Sequence, residues 1–342
     1  MPSLQSLPTH FSPWRMSVAP MMDWTDRHCR FFHRLLSKRA RLYTEMMTTG
    51  ALLHGDVPRH LRFNAEEHPL ALQLGGSEPA DLARCARLGE QWGYDEINLN
   101  CGCPSERVQR GSFGACLMAE PALVADCIKA MQGAVSIPIT VKHRIGVDRT
   151  DRYGFVRDFV GTLAEAGCKV FIVHARSAWL KGLSPKENRE LPPLRYDLVH
   201  ALKAEFPQLT ICMNGGIKSS AQAHEQLSAL DGVMLGREVY HRPWWLVQWD
   251  TEFFGAQEAS ANSSMPERLT PELIEERMVQ YMEREAAEHG TPWAAIARHM
   301  LGLRHGLPGA RRWRQVWSDH SLKALRPAQV MLLSHQEERL AA

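Results

Sequence analysis

Short runs of β-branched and aliphatic residues alternate with longer stretches whose apolar positions recur every three or four residues, and the alternation repeats eight times. The runs predict strands over Met16–Met22, Arg41–Met47, Leu70–Gly75, Glu96–Cys101, Ile137–Lys142, Val170–His174, Thr210–Asn214 and Gly232–Gly236. Helical patterns fill most intervals, among them Pro79–Trp92, Pro121–Gln132, Tyr153–Ala166, Leu194–Phe206 and Ser220–Leu230. Eight βα units predict an α/β fold, a (β/α)8 TIM barrel. The first βα turn carries no G-x-G-x-x-G, so an open dinucleotide-binding sheet loses its main support.

After Trp249 the alternation stops. Residues 255–269 are rich in Ala, Ser, Asn and Glu and read as a linker. Thr270-Pro271 and Thr291-Pro292 then each offer an N-cap and a first-turn proline. The first predicted helix has its stripe at Leu273, Ile274, Arg277, Met278, Tyr281 and Met282; the second runs over Pro292–His305 and is closed by Gly306. The expected organisation is an irregular tail over 1–15, a barrel over 16–255 and a small all-helical C-terminal domain over 256–342.

A chain of 342 residues with 44% hydrophobic content can bury such a core, and no apolar stretch approaches membrane-spanning length. With no leader-like pattern near the N-terminus, a cytoplasmic protein without a membrane partner is expected. Cys101 and Cys103 form C-x-C, and Cys29, Cys85, Cys116, Cys127, Cys168 and Cys212 make no C-x-x-C pair, so neither a disulfide framework nor a zinc site is expected, and no metal. Cys85, Cys127 and Cys168 read as small buried hydrophobes in helical segments. The net charge of +2 conceals an asymmetry. Nine acidic residues fall between Glu252 and Glu288, whereas Arg298, Arg304, Arg311, Arg312, Arg314, Lys323 and Arg326 face only Asp319 in the next segment. Trp313 and Trp317 interleave with these arginines. That pattern suits either RNA contact or a solvated helix with two core tryptophans, and composition does not separate the two.

In a (β/α)8 barrel the chemistry collects where strands end. Here those ends carry Pro20-Met21-Met22, Glu45, Gln73, Asn100-Cys101-Gly102-Cys103-Pro104, Lys142, His174, Asn214-Gly215-Gly216 and Gly236-Arg237. Gly102 and Pro104 would aim the Cys103 thiol from rigid backbone, which is how a positioned proton donor is built. The glycines after the seventh and eighth strands, with Arg237, suit a phosphate such as that of flavin mononucleotide. Lys142 and Gln73 could then meet the pyrimidine edge of the ring, Pro20, Met21 and Met22 could lie under it, and His174 is a further contact.

These residues resemble the tRNA-dihydrouridine synthases, in particular the A-type bacterial branch, over nearly all of residues 16–326. The resemblance is carried by Ala19-Pro20-Met21-Met22, Thr44-Glu45-Met46, Gln73-Leu74-Gly75-Gly76, Asn98-Leu99-Asn100-Cys101-Gly102-Cys103-Pro104, Val141-Lys142-His143-Arg144, His174-Ala175-Arg176, Asn214-Gly215-Gly216 and Gly236-Arg237. The A-type marks are the loop from Ala178 to Arg189 and Arg298-His299-Met300-Leu301-Gly302-Leu303. Cys101 departs from the family, which more often has an apolar residue there. The resemblance implies FMN as cofactor, NADPH or NADH as reductant, and reduction of the uridine C5–C6 bond in the tRNA D-loop at positions 20 and 20a. It makes Cys103 the proton donor and assigns FMN to Pro20, Met21, Met22, Gln73, Lys142, His174, Asn214, Gly215, Gly216, Gly236 and Arg237. It assigns tRNA to Asn100, Arg176, Lys181, Ser184, Lys186, Arg189, Arg298 and Leu301, in a protein expected to be monomeric.

Two other readings fit parts of the pattern. A flavin barrel reducing a small pyrimidine would share the cysteine and the FMN residues but would not need the basic C-terminal segment. A non-catalytic RNA-binding barrel would not need Cys103, Lys142 and the phosphate glycines.

Overall fold

The structure is a computed structural model that describes residues 11–105, 108–109, 111–148, 150, 152–255 and 268–335. Most of the predicted tail and of the predicted linker lies outside them. The described residues fall into two compact units, one within Met1–Pro20, Arg41–Arg62 and His68–Leu235, the other within Met21–Ala40, Phe63–Glu67 and Gly236–Ala342.

The first unit holds all eight strands: β1 (Met16–Val18), β2 (Leu42–Thr48), β3 (Leu70–Gly75), β4 (Glu96–Cys101), β5 (Ile139–Arg144), β6 (Val170–His174), β7 (Thr210–Asn214) and β8 (Gly232–Leu235). They are parallel and paired in sequence order, and β1 also pairs with β8. A parallel bridge from Ser17 to Arg41 joins β1 to the residue before β2, with Val18 N donating to Arg41 O at 2.9 Å, so the barrel closes. Proline sets two strand limits. β1 stops at Val18 rather than Met22, because Ala19 N makes the last rung to Leu235 O and Pro20 has no N–H to continue it. β5 begins after Pro138, whose carbonyl still accepts from Ile97 N.

Alternation along the strands divides the core in two. Ala19, Tyr43, Ala71, Val170, Ile172, Cys212 and Met234 form one buried cluster, with Trp14 packed against it. Residues of the opposite parity, such as Ile97, Leu99, Val141, Phe171 and Val173, are also buried, as are Leu82, Ile128, Val156 and Phe159 on the helices. The Pro121–Gln132 helix has the predicted bounds, whereas Tyr153–Glu165 and Tyr196–Glu205 are shorter than predicted. Cys168 lies just beyond a helix rather than in one, though it is buried as expected.

The second unit is helical. Thr270 Oγ1 accepts from Leu273 N and caps the Pro271–His289 helix, which Gly290 ends at φ +65°. The next predicted helix is much shorter, Trp293–Ala297, and gives way to turns closed by i→i−3 bonds, His299 N to Ile296 O and Met300 N to Ala297 O among them. Helices Ala310–Trp317 and Pro327–Ser334 complete the unit. Among the described residues no helix is long and apolar enough to cross a membrane, and no cluster of three or more metal-binding side chains occurs.

Candidate active site

β4 carries polar side chains at every second position. Glu96, Asn98 and Asn100 are all buried, and between them they bond Tyr43 on β2, Gln73 on β3 and Thr140 on β5. Asn100 is the uppermost. Its Oδ1 accepts from both Gly102 N (3.0 Å) and Cys103 N (2.9 Å), and its Nδ2 donates to Gln73 Oε1 (2.9 Å). The backbone carrying Cys103 therefore hangs from a side chain of the strand that precedes it. The thiol is partly exposed, with Ser105 Oγ at 3.5 Å, whereas Cys101 is fully buried and its thiol is pushed far up by that burial.

Lys142 lies opposite Asn100 in the β4–β5 register, and His174 stands beside Arg144 and Asn214 on β6. Burial, then the charge of Arg144, pulls the Lys142 amine down to about 7. Burial likewise holds His174 well below the ordinary imidazole range, with Arg144, Lys142, Arg176 and Arg189 adding to it, so at neutral pH the ring is uncharged. Gly215 and Gly216 have φ of +107° and +78°. A Cβ on Gly215 would sit 2.5 Å from the His174 ring, and one on Gly216 2.4 Å from Leu194. The chain after β7 is bare backbone beside a neutral imidazole, the kind of surface a phosphate or ring edge approaches closely.

Arg144 ends the Val141–Arg144 motif, whose sequence does not disclose what the guanidinium holds. Buried, it donates from Nε to Gly102 O (3.1 Å) and from NH1 to Ser177 O (3.2 Å) and Asn188 O (2.8 Å), joining the cysteine loop to the long β6–β7 loop. Asn188 is the centre of that second loop: its Oδ1 accepts from Trp179 N (2.7 Å), and its Nδ2 donates to Trp179 O (2.8 Å). Gln109 Nε2 reaches both Pro104 O and Leu180 O. Tyr196 OH donates to Gly215 O (2.7 Å). On this braced loop Lys181, Ser184, Lys186 and Arg189 are exposed, while Arg176 is half-buried and donates to Pro192 O.

The remaining predicted site residues belong to the second unit, except Pro20, which ends a segment of the first. Met22 is 54% exposed; Met21 N and O both bond the Thr25 hydroxyl. Gly236 precedes the short Arg237–His241 helix, and Leu301 is half-buried. Arg298 is exposed and pairs with Asp26 Oδ2 at 2.7 Å. Asp26 also caps the Arg27–Leu36 helix and hydrogen-bonds His299, which together hold its carboxyl far below the usual range despite its burial. The basic segment resolves in favour of the core reading for its tryptophans. Trp313 and Trp317 are each 1% exposed, and both donate Nε1 to Glu275 Oε1 at 2.8 Å, so neither is a stacking surface. Arg304 is buried too and pairs with Glu272 (2.7 Å), which removes it from the candidate phosphate contacts.

A family model described as dihydrouridine synthase matches residues 17–336. The chain belongs to the dihydrouridine synthase family. It is an enzyme of that class, a flavin-dependent oxidoreductase. It is 58% identical to the tRNA-dihydrouridine(20/20a) synthase of Pseudomonas putida over 92% of this chain and 91% of that one. It is 55% identical to the protein of the same name from Escherichia coli K12, over 94% and 90% of the two chains. Among solved structures, a 2-naphthoyl-CoA reductase complex aligns with a TM-score of 0.53 and 12% identity over 68% of this chain and 49% of that one, a likeness of fold. A dihydrouridine synthase barrel thus carries Gln73, Asn100, Cys103, Lys142, His174 and Gly215 on successive strand ends.

Proposed function

We propose that this chain reduces the C5–C6 double bond of uridines 20 and 20a in the tRNA D-loop, using FMN at the strand ends, NADPH or NADH as reductant, and Cys103 as the proton donor. The observation that carries the reading is the partly exposed Cys103, its backbone N–H held by Asn100, in the loop that follows the strand paired with that of Lys142. The names of the 58% and 55% identical relatives support the tRNA positions.

The residues present fit a flavin. Bare backbone at Gly215 and Gly216 suits its phosphate, while Gln73, Lys142, neutral His174 and Asn214 offer donors for its polar edge. Pro20, Met21, Met22, Gly236 and Arg237 are assigned to it on the family resemblance. A flavin bound there would supply the hydride chemistry that reduction of a uracil double bond needs. Cys103 gives its proton to C5, and the charge left on sulfur is stabilised by Lys142 and Arg144, both of which interact with it electrostatically. Lys142, with its amine near 7, takes up a proton when negative charge arrives beside it. Reaching C5 and C6 requires a base turned out of its stack, and a loop uridine costs least to extrude. Asn100 would hold that base; Arg176, Lys181, Ser184, Lys186 and Arg189, with Arg298 and Leu301, would hold the RNA.

The test maps dihydrouridine by position, from mass spectrometry of ribonuclease fragments, in tRNA from cells lacking this protein. Dihydrouridine should vanish at positions 20 and 20a and return with the wild-type gene but not with Cys103→Ala. Unchanged dihydrouridine at both positions would overturn the reading. The small-pyrimidine alternative gains no support, because the family match runs through the C-terminal helices that such a substrate would not need.

A further inference from the structure

A line of hydrogen bonds runs through the barrel from Glu96 to the cysteine loop. Glu96 accepts from Trp14 Nε1 (2.7 Å), Tyr43 OH (2.9 Å) and Thr140 Oγ1 (2.5 Å), and pairs with Arg41 (3.1 Å). Thr140 Oγ1 accepts from Asn98 Nδ2 (2.7 Å), and Asn98 Oδ1 from Gln73 Nε2 (2.7 Å). Gln73 Oε1 accepts from Asn100 Nδ2, and Asn100 Oδ1 from Gly102 N and Cys103 N. The sense of every link is dictated from both ends. A carboxylate paired with arginine can only accept, so the single Thr140 proton points to Glu96 and Asn98 must offer its nitrogen to Thr140. At the other end two backbone N–H groups can only donate, so Asn100 must offer them its oxygen. The two demands meet at Gln73 without conflict, and reversing any one amide would set donor against donor.

We propose that Thr140 and Asn98 are positioning residues, which act through Gln73 to hold Asn100 in one amide orientation and thereby fix the Cys103 loop. Building on the function proposed above, the Asn100 oxygen is committed to two N–H groups, so the group it has left for a base is an N–H, a partner for a pyrimidine carbonyl. Thr140 and Asn98 are themselves fully buried and touch neither the exposed loop nor Cys103.

The test compares Thr140→Val, which keeps the shape and removes the link, with Thr140→Ser, which keeps the hydroxyl. The flavin-loaded enzyme without tRNA is treated with iodoacetamide, and each cysteine is followed by peptide mass spectrometry. In Thr140→Val the Cys103 alkylation rate should rise about fivefold or more, as expected when a buried hydrogen bond restraining a loop is removed. The buried Cys85 and Cys127 should react no faster, and Thr140→Ser should match wild type. Turnover on tRNA should fall in Thr140→Val through kcat and KM together, while the bound flavin is still reduced by NADPH. Asn98→Leu cuts the line one link higher and replaces Thr140→Val if that variant does not fold. An unchanged Cys103 rate, equal acceleration of Cys85 and Cys127, or Thr140→Ser behaving as Thr140→Val would each overturn the proposal. If the alkylation pattern holds while wild-type protein forms no dihydrouridine, the functional reading fails and the positioning role stands.

Discussion

In the proposed reaction a proton donor is useful only if it stays put until the double bond arrives, a task divided there between the Cys103 thiol and the groups around it. Cys103→Ala should retain flavin and its reduction by NADPH while turnover drops about 10²- to 10⁴-fold, the usual worth of a positioned acid. Cys101→Ala, at a fully buried thiol two residues away, should keep most activity; a dead Cys101→Ala beside an active Cys103→Ala would reassign the donor. Lys142 carries a prediction about pH. Its folded amine titrates near 7 and an unfolded one near 10.4, so between those values the unfolded chain binds more protons and stability rises with pH. The cost of charging Lys142 is therefore fully present below about 7 and fades towards 10.4. Flavin-free Lys142→Met should melt above wild type at pH 6, and the gap should narrow at pH 9.5; a pH-independent gap would contradict the assignment. At this scale the sequence made the thiol legible because glycine and proline flank it. The buried roles of Arg144 and Glu96 were not, since a charged residue in a strand motif does not disclose which carbonyls or hydroxyls it will meet.

Elements matter here mainly as holders of their own ends. The turn after β7 depends on two glycines, and Gly215→Ala would force both a disfavoured φ and a clash with the His174 ring. The purified variant should be pale, with flavin content reduced several-fold, while its barrel remains folded; full occupancy would move the phosphate elsewhere. Strands β3, β4, β6 and β7 stand where their apolar runs predicted them, because a parallel strand covered on both sides must be continuously apolar or internally paired. Predictions failed at element ends: Pro20, with no N–H to give, ended β1 early, and the second C-terminal helix passed into i→i−3 turns after Ala297. The alternation of acid and amides along β4 was present in the sequence, but a strand of that parity reads equally well as half-solvated until its neighbours are known.

For the molecule as a whole, the basic stretch near the C-terminus is two populations of arginine. Arg304 belongs to the interior, and Arg304→Ala should cost about 1–3 kcal/mol in urea unfolding, because it removes a buried guanidinium that pairs with Glu272 and lies 3.7 Å from the buried Glu275, which keeps His335, Trp313 and Trp317 as partners. Arg311 and Arg314 are exposed. Neutralising both should leave stability nearly unchanged and flatten the slope of log tRNA affinity against log salt by about one unit for each phosphate left unneutralised. An unaltered slope would make that helix face merely solvated. Charge counting along the chain could not make this separation, since it depends on Arg304 lying over the Trp313 ring from the turns before the helix, while Arg311 and Arg314 share that helix with Trp313 but lie exposed.

Those two indoles also make the protein its own reporter. Seven of its ten tryptophans, Trp24, Trp244, Trp245, Trp249, Trp293, Trp313 and Trp317, belong to the helical unit, whereas Trp14, Trp92 and Trp179 belong to the barrel. With Trp249, Trp293, Trp313 and Trp317 buried, a change in ultraviolet emission would report chiefly on loss of packing in the helical unit, while the visible colour of a flavin would follow the strand ends. One cuvette heated slowly, watched at two wavelengths, would therefore tell whether the two units come apart together or in turn.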